Sequence, residues 1–250
     1  MNMEQITSNQ NAKVKLFQKL KKKRERDKQG LAVLEGYHLV EEAIQNNIKI
    51  EHLFVLDVQR VDETIIHAST HVYEINMKVA ETLAGTVTPQ GIFAIIKKPE
   101  SQIKDARQVL ILDRVQDPGN VGTLIRTADA AGLDAVILSK GTADVYSDKV
   151  LRASQGSVFH IPVMVVDDVV TFIHQFNGPV YGTALVDAVS YHSLEKQQNT
   201  FALVLGNEGE GISDEILKDT TQNVTIPIYG RAESLNVAIA AGILMFHLKG

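Results

Sequence analysis

Three stretches in the second half of the chain follow a short apolar run with glycines, asparagines and charged side chains. They are LILDRVQDPGNVGTLIRTADAAG from Leu110, FALVLGNEGEGIS from Phe201, and VTIPIYGRAESLNVAIAAG from Val224. Glycine lets a ligand approach the backbone closely, and a few fixed polar groups can then orient it. The polar set on offer is Asn120 and Arg126 in the first stretch, Glu208 and Glu210 in the second, and Ser234 and Asn236 in the third. The second stretch invites comparison with a dinucleotide loop, but its spacing is G-x-x-G-x-G instead of G-x-G-x-x-G. Glu208 and Glu210 also stand where a pyrophosphate would lie. Like charge disfavours a phosphorylated ligand and favours one carrying positive charge.

Each stretch needs a strand and a helix to position it. VLILDR reads as a strand and DPGN as a turn, with Asn120 the expected N-cap of a helix running to Ala131 and Gly132 its stop. Val121, Leu124, Ile125, Ala128 and Ala131 then share one side of that helix. Arg126 faces the opposite way, as a solvated arginine paired with Asp129 at i+3. FALVL is a strand whose polar turn leads to a helix capped by Ser213. After the strand VTIPI, Ser234 is expected to cap a helix rich in Ala238, Ala240, Ala241 and Gly242. Such a helix is apolar nearly all round and must be buried, its small side chains allowing close contact with a neighbour or a second subunit. Strand ends of an open α/β sheet gather at one crevice, so the three turns are expected to build one pocket.

The rest of the chain supplies context. Residues 8–28 look helical, with Val14, Leu16, Phe17 and Leu20 forming an apolar stripe. Residues 1–28 hold nine Lys/Arg against three acidic residues, although the whole chain has a net charge of -5. A basic arm on an acidic body suits contact with a phosphate backbone, or else is a solvated helix face. From Leu31 strands and helices alternate through LAVLE, YHLVEEAIQNN, IEHLFVL, DETIIHAST, VYEI, MKVAETLAG and GIFAIIKK, which predicts a small α/β domain ending near Lys98. Polar residues 99–108, opened by Pro99, form the expected linker, and a second α/β series fills 109–250. Lys149 and Arg152 share an expected helix face before Gly156. No cysteine occurs, which excludes disulfides and thiolate chemistry and fits a reducing cytoplasm. His67 and His71 form the one i,i+4 histidine pair and lack a third ligand, so no metal site is expected. The N-terminal stretch lacks an apolar signal core and no apolar run is long enough to span a bilayer, so a cytoplasmic protein without a membrane partner is expected.

Taken in order, NVGTLIRTADAAG, LVLGNEGEGIS and IPIYGRAESLNVAIAAG resemble the three motifs of the SpoU/TrmH branch of the SPOUT RNA methyltransferases. EGYHLVEEAI and TPQGIFAII are similar to that family's L30e-like substrate-binding domain. The resemblance implies an α/β chain in four parts: a basic helical arm at 1–28, an L30e-like domain at 29–98, the linker 99–108, and a SPOUT domain with a trefoil knot at 109–250. It also implies S-adenosylmethionine as cofactor, a homodimer, and methylation of a ribose 2'-hydroxyl in RNA. Ribosomal RNA is favoured and tRNA is the alternative. Carried across to this sequence, the cofactor contacts fall on Gly206, Ile226 and Leu235, and the polar catalytic set on Asn120, Arg126, Glu208, Ser234 and Asn236. Lys21, Lys22, Lys23, Arg24 and Arg152 are the candidate RNA contacts. A guanidinium keeps its proton at ordinary pH, so Arg126 is assigned to phosphate binding and to developing alkoxide charge, with Glu208 or water taking the proton. Two other readings stand beside this one: a non-catalytic ribosome-assembly factor on the same fold, and a nucleotide-dependent oxidoreductase, which the glycine spacing and the acidic loop disfavour.

Overall fold

A computed structural model describes residues 4–86, 88–100, 103, 105–196 and 198–250. The expected linker lies partly outside the described residues, at 101, 102 and 104. Two compact units emerge: Met1–Glu100 with Tyr146–Phe159, and Ser101–Val145 with His160–Gly250.

The first unit contains β1 (Glu4–Ile6), α1 (Ala12–Leu20), α2 (Lys23–Gln29), β2 (Leu31–Glu35), α3 (Tyr37–Gln45), β3 (Ile50–Val55), α4 (Glu63–His67), β4 (Ser69–Ile75), α5 (Met77–Leu83) and β5 (Ile92–Lys97). Its sheet runs β1-β4-β3-β5-β2. Strand β5 is antiparallel to both neighbours, and the other pairings are parallel. The basic N-terminal segment is built into this unit. Val14, Phe17 and Leu20 of α1 are buried, and the Phe17 ring meets those of Phe54 and Phe93 edge-on at 6.0 and 5.9 Å. The segment expected to be helical over 8–28 is two helices, because Lys22 is extended. The break lets the buried Arg26 side chain donate to the carbonyls of Leu20 and Lys21 at 2.8 Å each, which satisfies the open end of α1. His67 and His71 do not share a helix face, since His67 ends α4 and His71 lies in β4, stacked on His52.

His52 is 8% exposed, and burial, with Lys13 and His71 nearby, lowers its pKa to about 4. The Lys13 ammonium can only donate, so His52 Nε2 accepts from it and Nδ1–H faces the Tyr73 hydroxyl at 3.2 Å. Between about pH 6.5 and 4 the unfolded chain then binds a proton that the folded chain refuses. This contribution to stability is full above pH 6.5 and is lost as pH falls through that window, up to about 3 kcal/mol in all. Urea titrations across the window should show wild type losing more stability than His52→Gln, and parallel curves would refute the assignment.

The second unit contains β6 (Gln108–Leu112), α6 (Pro118–Ala130), β7 (Ala135–Leu138), β8 (Val163–Val165), α8 (Val169–Gln175), β9 (Val180–Thr183), β10 (Ala188–Ser190), β11 (Phe201–Leu205), α9 (Asp214–Lys218), β12 (Gln222–Thr225) and α10 (Val237–Lys249). The helix α7 (Asp148–Ser154), between β7 and β8, belongs to the first unit. All seven strands are parallel, in the order β10-β12-β9-β11-β6-β7-β8. Every residue of β7 and β11 is buried, as expected of parallel strands covered on both faces. On α6 the apolar set Val121, Leu124, Ile125, Ala128 and Ala131 is buried, and Gly132, at φ +67°, ends the helix. The helix α10 packs on α6 but is not buried all round, since Ile239 and Phe246 are more than half exposed. Because all seven strands run the same way, the turns after β6, β11, β9 and β12, four adjacent strands, open on a single edge of the sheet.

Candidate functional site

A cavity of about 380 Å³ sits at that edge, within the size range of small-ligand sites. Gly206, Glu208, Ile226, Ser234, Leu235 and Asn236 all line it, so two of the three sequence stretches meet there directly. The first stretch joins through Asn120. Its side-chain amide donates to Glu208 Oε1 at 2.9 Å, and its carbonyl accepts from Asn236 Nδ2 at 3.0 Å. These residues are separated by 88 and 116 positions in the chain and form one polar line across three turns.

The helix starts differ from expectation in a way that frees these side chains. Asp117, not Asn120, caps α6, accepting from Asn120 N at 2.9 Å with Pro118 in the first helical turn. Asn120 therefore sits inside the first turn with its amide available. Likewise Asn236, not Ser234, caps α10, accepting from the Ala238 and Ile239 amides at 2.9 and 3.3 Å. Ser234 is left exposed at the cavity wall. Ser213 does hold the cap position of α9 but makes no side-chain capping bond, and its amide donates instead to Asp113.

Glu208 accepts from the Gln116 and Asp117 amides at 3.0 and 3.1 Å as well as from Asn120. Burial alone would raise its pKa, but the Asn120 side chain and these backbone donors outweigh it and hold the carboxyl below its ordinary range. A carboxylate saturated with donors and depressed in pKa is a poor base, so the proton-accepting role expected of Glu208 does not fit its surroundings. Its place is an anchor at the positive end of α6. Glu210 also departs from expectation: it turns away to Arg114, with Nη1 to Oε2 at 2.6 Å. The second carboxylate on the cavity wall is Glu233, and no lysine or arginine is among the described residues lining it. A wall with two carboxylates and no cationic side chain among its described residues fits a cationic ligand such as a sulfonium, and it does not fit a phosphorylated one.

Gly206 is fixed by its own loop. A Cβ there would lie 2.1 Å from both Gly211 C and Ile212 N, because Asn207 and Gly211 exchange backbone hydrogen bonds at 2.9 Å and fold the loop back over it. Arg126 is not brought to the cavity. It lies on the exposed side of α6, six residues past Asn120 and so about 9 Å further along the axis. The expected pairing with Asp129 is absent, since Asp129 accepts from His160 at 2.9 Å.

Among the candidate RNA contacts, Lys21 donates to the Ala84 carbonyl at 3.1 Å, Lys23 pairs with Asp27 at 2.8 Å, and Arg152 pairs with Asp148. Among the described residues Lys22 and Arg24 have no acidic partner. Sequence reasoning missed Thr183, the last residue of β9, and Ala184 and Leu185 after it, which line one side of the cavity. The signal was the run VYGTALV, a fourth apolar strand ending in small residues, though it lacks the glycine and asparagine cluster that marks the other three. Among the described residues there is no metal-binding cluster, and no helix is long and apolar enough to cross a membrane.

Comparison with known proteins gives this geometry a family. Residues 107–246 match the SpoU rRNA Methylase family and residues 11–94 match the MRM3-like substrate binding domain. The chain is 45% identical, over 99% of its length and 100% of the relative's, to the 23S rRNA (guanosine(2553)-2'-O)-methyltransferase RlmP of Bacillus subtilis. It is similar in structure to an AdoMet-bound rRNA methyltransferase from Sinorhizobium meliloti, with a TM-score of 0.88 at 34% identity, covering 98% of this chain and 97% of that one. An RNA 2'-O ribose methyltransferase structure aligns with a TM-score of 0.81 at 29% identity, over 98% of this chain and 97% of that one. With the three motif turns meeting at one sheet edge and the family model spanning more than half its length, this chain belongs to the SpoU rRNA methylase family.

Proposed function

We propose that this protein transfers a methyl group from S-adenosylmethionine to a ribose 2'-hydroxyl of 23S ribosomal RNA. The observation that carries the reading is the cavity at the sheet edge, with Glu208 and Glu233 on its wall and no cationic side chain among the described residues lining it. When bound, S-adenosylmethionine supplies a methyl on a sulfonium, a leaving group good enough that the protein need mainly align the reactants and exclude water. Gly206, Ile226 and Leu235 would hold it through backbone and apolar contact, while Asn120, Glu208 and Asn236 keep the three turns in register. Arg126, permanently charged, binds the neighbouring phosphate and stabilises the developing alkoxide, and water takes the proton. Purified protein should methylate 23S ribosomal RNA with labelled S-adenosylmethionine, and the guanosine modified by the Bacillus subtilis relative is the first position to map. Ribose-methylation maps that are identical in cells with and without the protein would sink the proposal.

We further infer a cytoplasmic homodimer and a trefoil knot in the second unit. For the knot, the support is that β11 lies between β6 and β9 while the end of α10 returns, Leu248 O accepting from Gln198 N at 2.9 Å. For the dimer it is the apolar stripe on α10 formed by the exposed Ile239 and Phe246 with the half-buried Ile243 between them, a face with little reason to remain in water. Paired Ile239→Asp and Phe246→Asp changes should convert a dimer to a monomer by light scattering. A wild-type monomer at micromolar concentration would refute this.

RNA docking by the basic face is tested with Lys22 and Arg24. Deleting residues 1–28 would remove Val14, Phe17 and Leu20 from the core and confuse binding with folding. Lys22→Gln with Arg24→Gln should reduce the slope of log affinity against log salt by about one to two without altering fold. An unchanged slope returns these side chains to a solvated helix face.

A further inference from the structure

Asp113 is a buried carboxylate, 3% exposed, at the end of β6, and nothing in the proposed reaction uses it. It accepts from Arg114 Nε at 3.2 Å and Nη2 at 3.3 Å, from Ser139 Oγ at 3.3 Å, and from the Ser213 amide at 2.9 Å. Arg114 follows it in the left-handed region, at φ +55°, an uncommon conformation for a side chain of this size. That turn aims the guanidinium at the far side of the glycine loop, where Nη1 meets Glu210. The same turn presents the Arg114 carbonyl to Asn207 Nδ2 at 2.9 Å. Asn207 Oδ1 in turn accepts from the Gly209 and Glu210 amides at 2.9 and 3.0 Å. Arg114 Nη2 also donates to the Gly211 carbonyl at 3.5 Å, so residues 207–213 are held at four points by two consecutive residues of the neighbouring strand end.

We propose that Asp113 and Arg114 are positioning residues for the methyl donor: they clamp the 206–213 loop so that the Gly206 and Asn207 backbone faces the cavity in its binding geometry. The inference rests on the methyl-transfer reading of that cavity. Strain in a non-glycine residue persists only where its surroundings over-determine it, and here three sets of hydrogen bonds do so. The Arg114–Glu210 arm is exposed on the glutamate side and contributes modestly, whereas the Arg114–Asp113 arm satisfies a buried charge whose loss is far costlier.

The test is a double-mutant cycle on full-length protein, with S-adenosylmethionine affinity read by calorimetry well below each variant's melting temperature. Arg114→Ala should weaken binding about tenfold, raising KM for the donor while leaving kcat at saturation within about threefold. Glu210→Ala should weaken it about twofold, and the double variant should be no worse than Arg114→Ala alone, because both act through one loop. A purely structural role would lower the melting temperature and leave affinity untouched, and that result, or additive effects, overturns the clamp. Should Arg114→Ala not fold, Glu210→Arg serves instead. It sets like charges together, and its weakened binding should recover as salt rises. Salt-independent binding equal to wild type would also overturn the clamp. Wild type that does not respond to S-adenosylmethionine would remove the methyl-transfer reading itself, and the clamp with it.

Discussion

Gly206→Ala should abolish useful methyl-donor binding while leaving the sheet intact. The added Cβ meets backbone, not the tip of a movable side chain: Gly211 C and Ile212 N both stand 2.1 Å away. Relief requires opening the Asn207–Gly211 bridge, and with it the loop that carries Glu208 to the start of α6. Overpacking of this kind costs about 1–3 kcal/mol, equivalent to roughly 5- to 160-fold in affinity if it is borne by the binding geometry. Calorimetry should show no saturable S-adenosylmethionine binding at concentrations that saturate wild type. Circular dichroism should stay unchanged and the melting temperature should fall by a few degrees. Wild-type affinity in this variant would mean that the loop tolerates displacement, and that the cavity is not the donor site.

Arg126→Lys should behave in the opposite way, with donor affinity retained and turnover reduced about 10²-fold, the scale of losing one well-placed charge-stabilising donor. Lysine keeps the charge but not the planar fork that grips phosphate through two parallel bonds. Near-normal kcat would refute the assigned role. The position of Arg126, outside its own chain's cavity, adds a second readout. Each of the two single variants, Arg126→Ala and Gly206→Ala, should be nearly inactive alone. If the arginine serves a partner's cavity across the α10 stripe, mixing and refolding them together should restore activity, because the mixed dimer holds one site with both parts intact. Silence on mixing would place Arg126 in service of the RNA bound to its own chain. The depressed pKa of Glu208 yields a related expectation: the activity profile from pH 6 to 8 should show no step from this group, which stays ionised throughout.

Much of the architecture is legible in the order of residues. The runs LAVLE, GIFAIIKK and FALVL are strands because apolar residues of that length bounded by polar turns have few alternatives, and the buried face of α6 follows from its helical spacing. Where expectation fails, a distant partner decides. Asn120 and Ser234 are sound caps on local propensity, yet Asp117 and Asn236 take the positions, and the Asn120 side chain bonds instead to Glu208 and Asn236 from far along the chain. The acidic loop is unsuited to phosphate on residue types alone, but which acid faces the ligand is not visible there. Glu210 is taken by Arg114, and Glu233 from another turn stands on the wall in its place.

By itself, then, the sequence determined the residue types at three strand ends, their hostility to anions and the run of alternating elements, because these depend on neighbours within a turn or two. Tertiary structure alone decided that α1 of the basic segment is packed into the core, that Glu208 is surrounded by donors at the start of α6, and that Arg126 lies outside its own chain's cavity. Each of those outcomes rests on hydrogen bonds or packing between residues tens of positions apart, whose geometry exists only once the parallel sheet has brought their strand ends to the same edge.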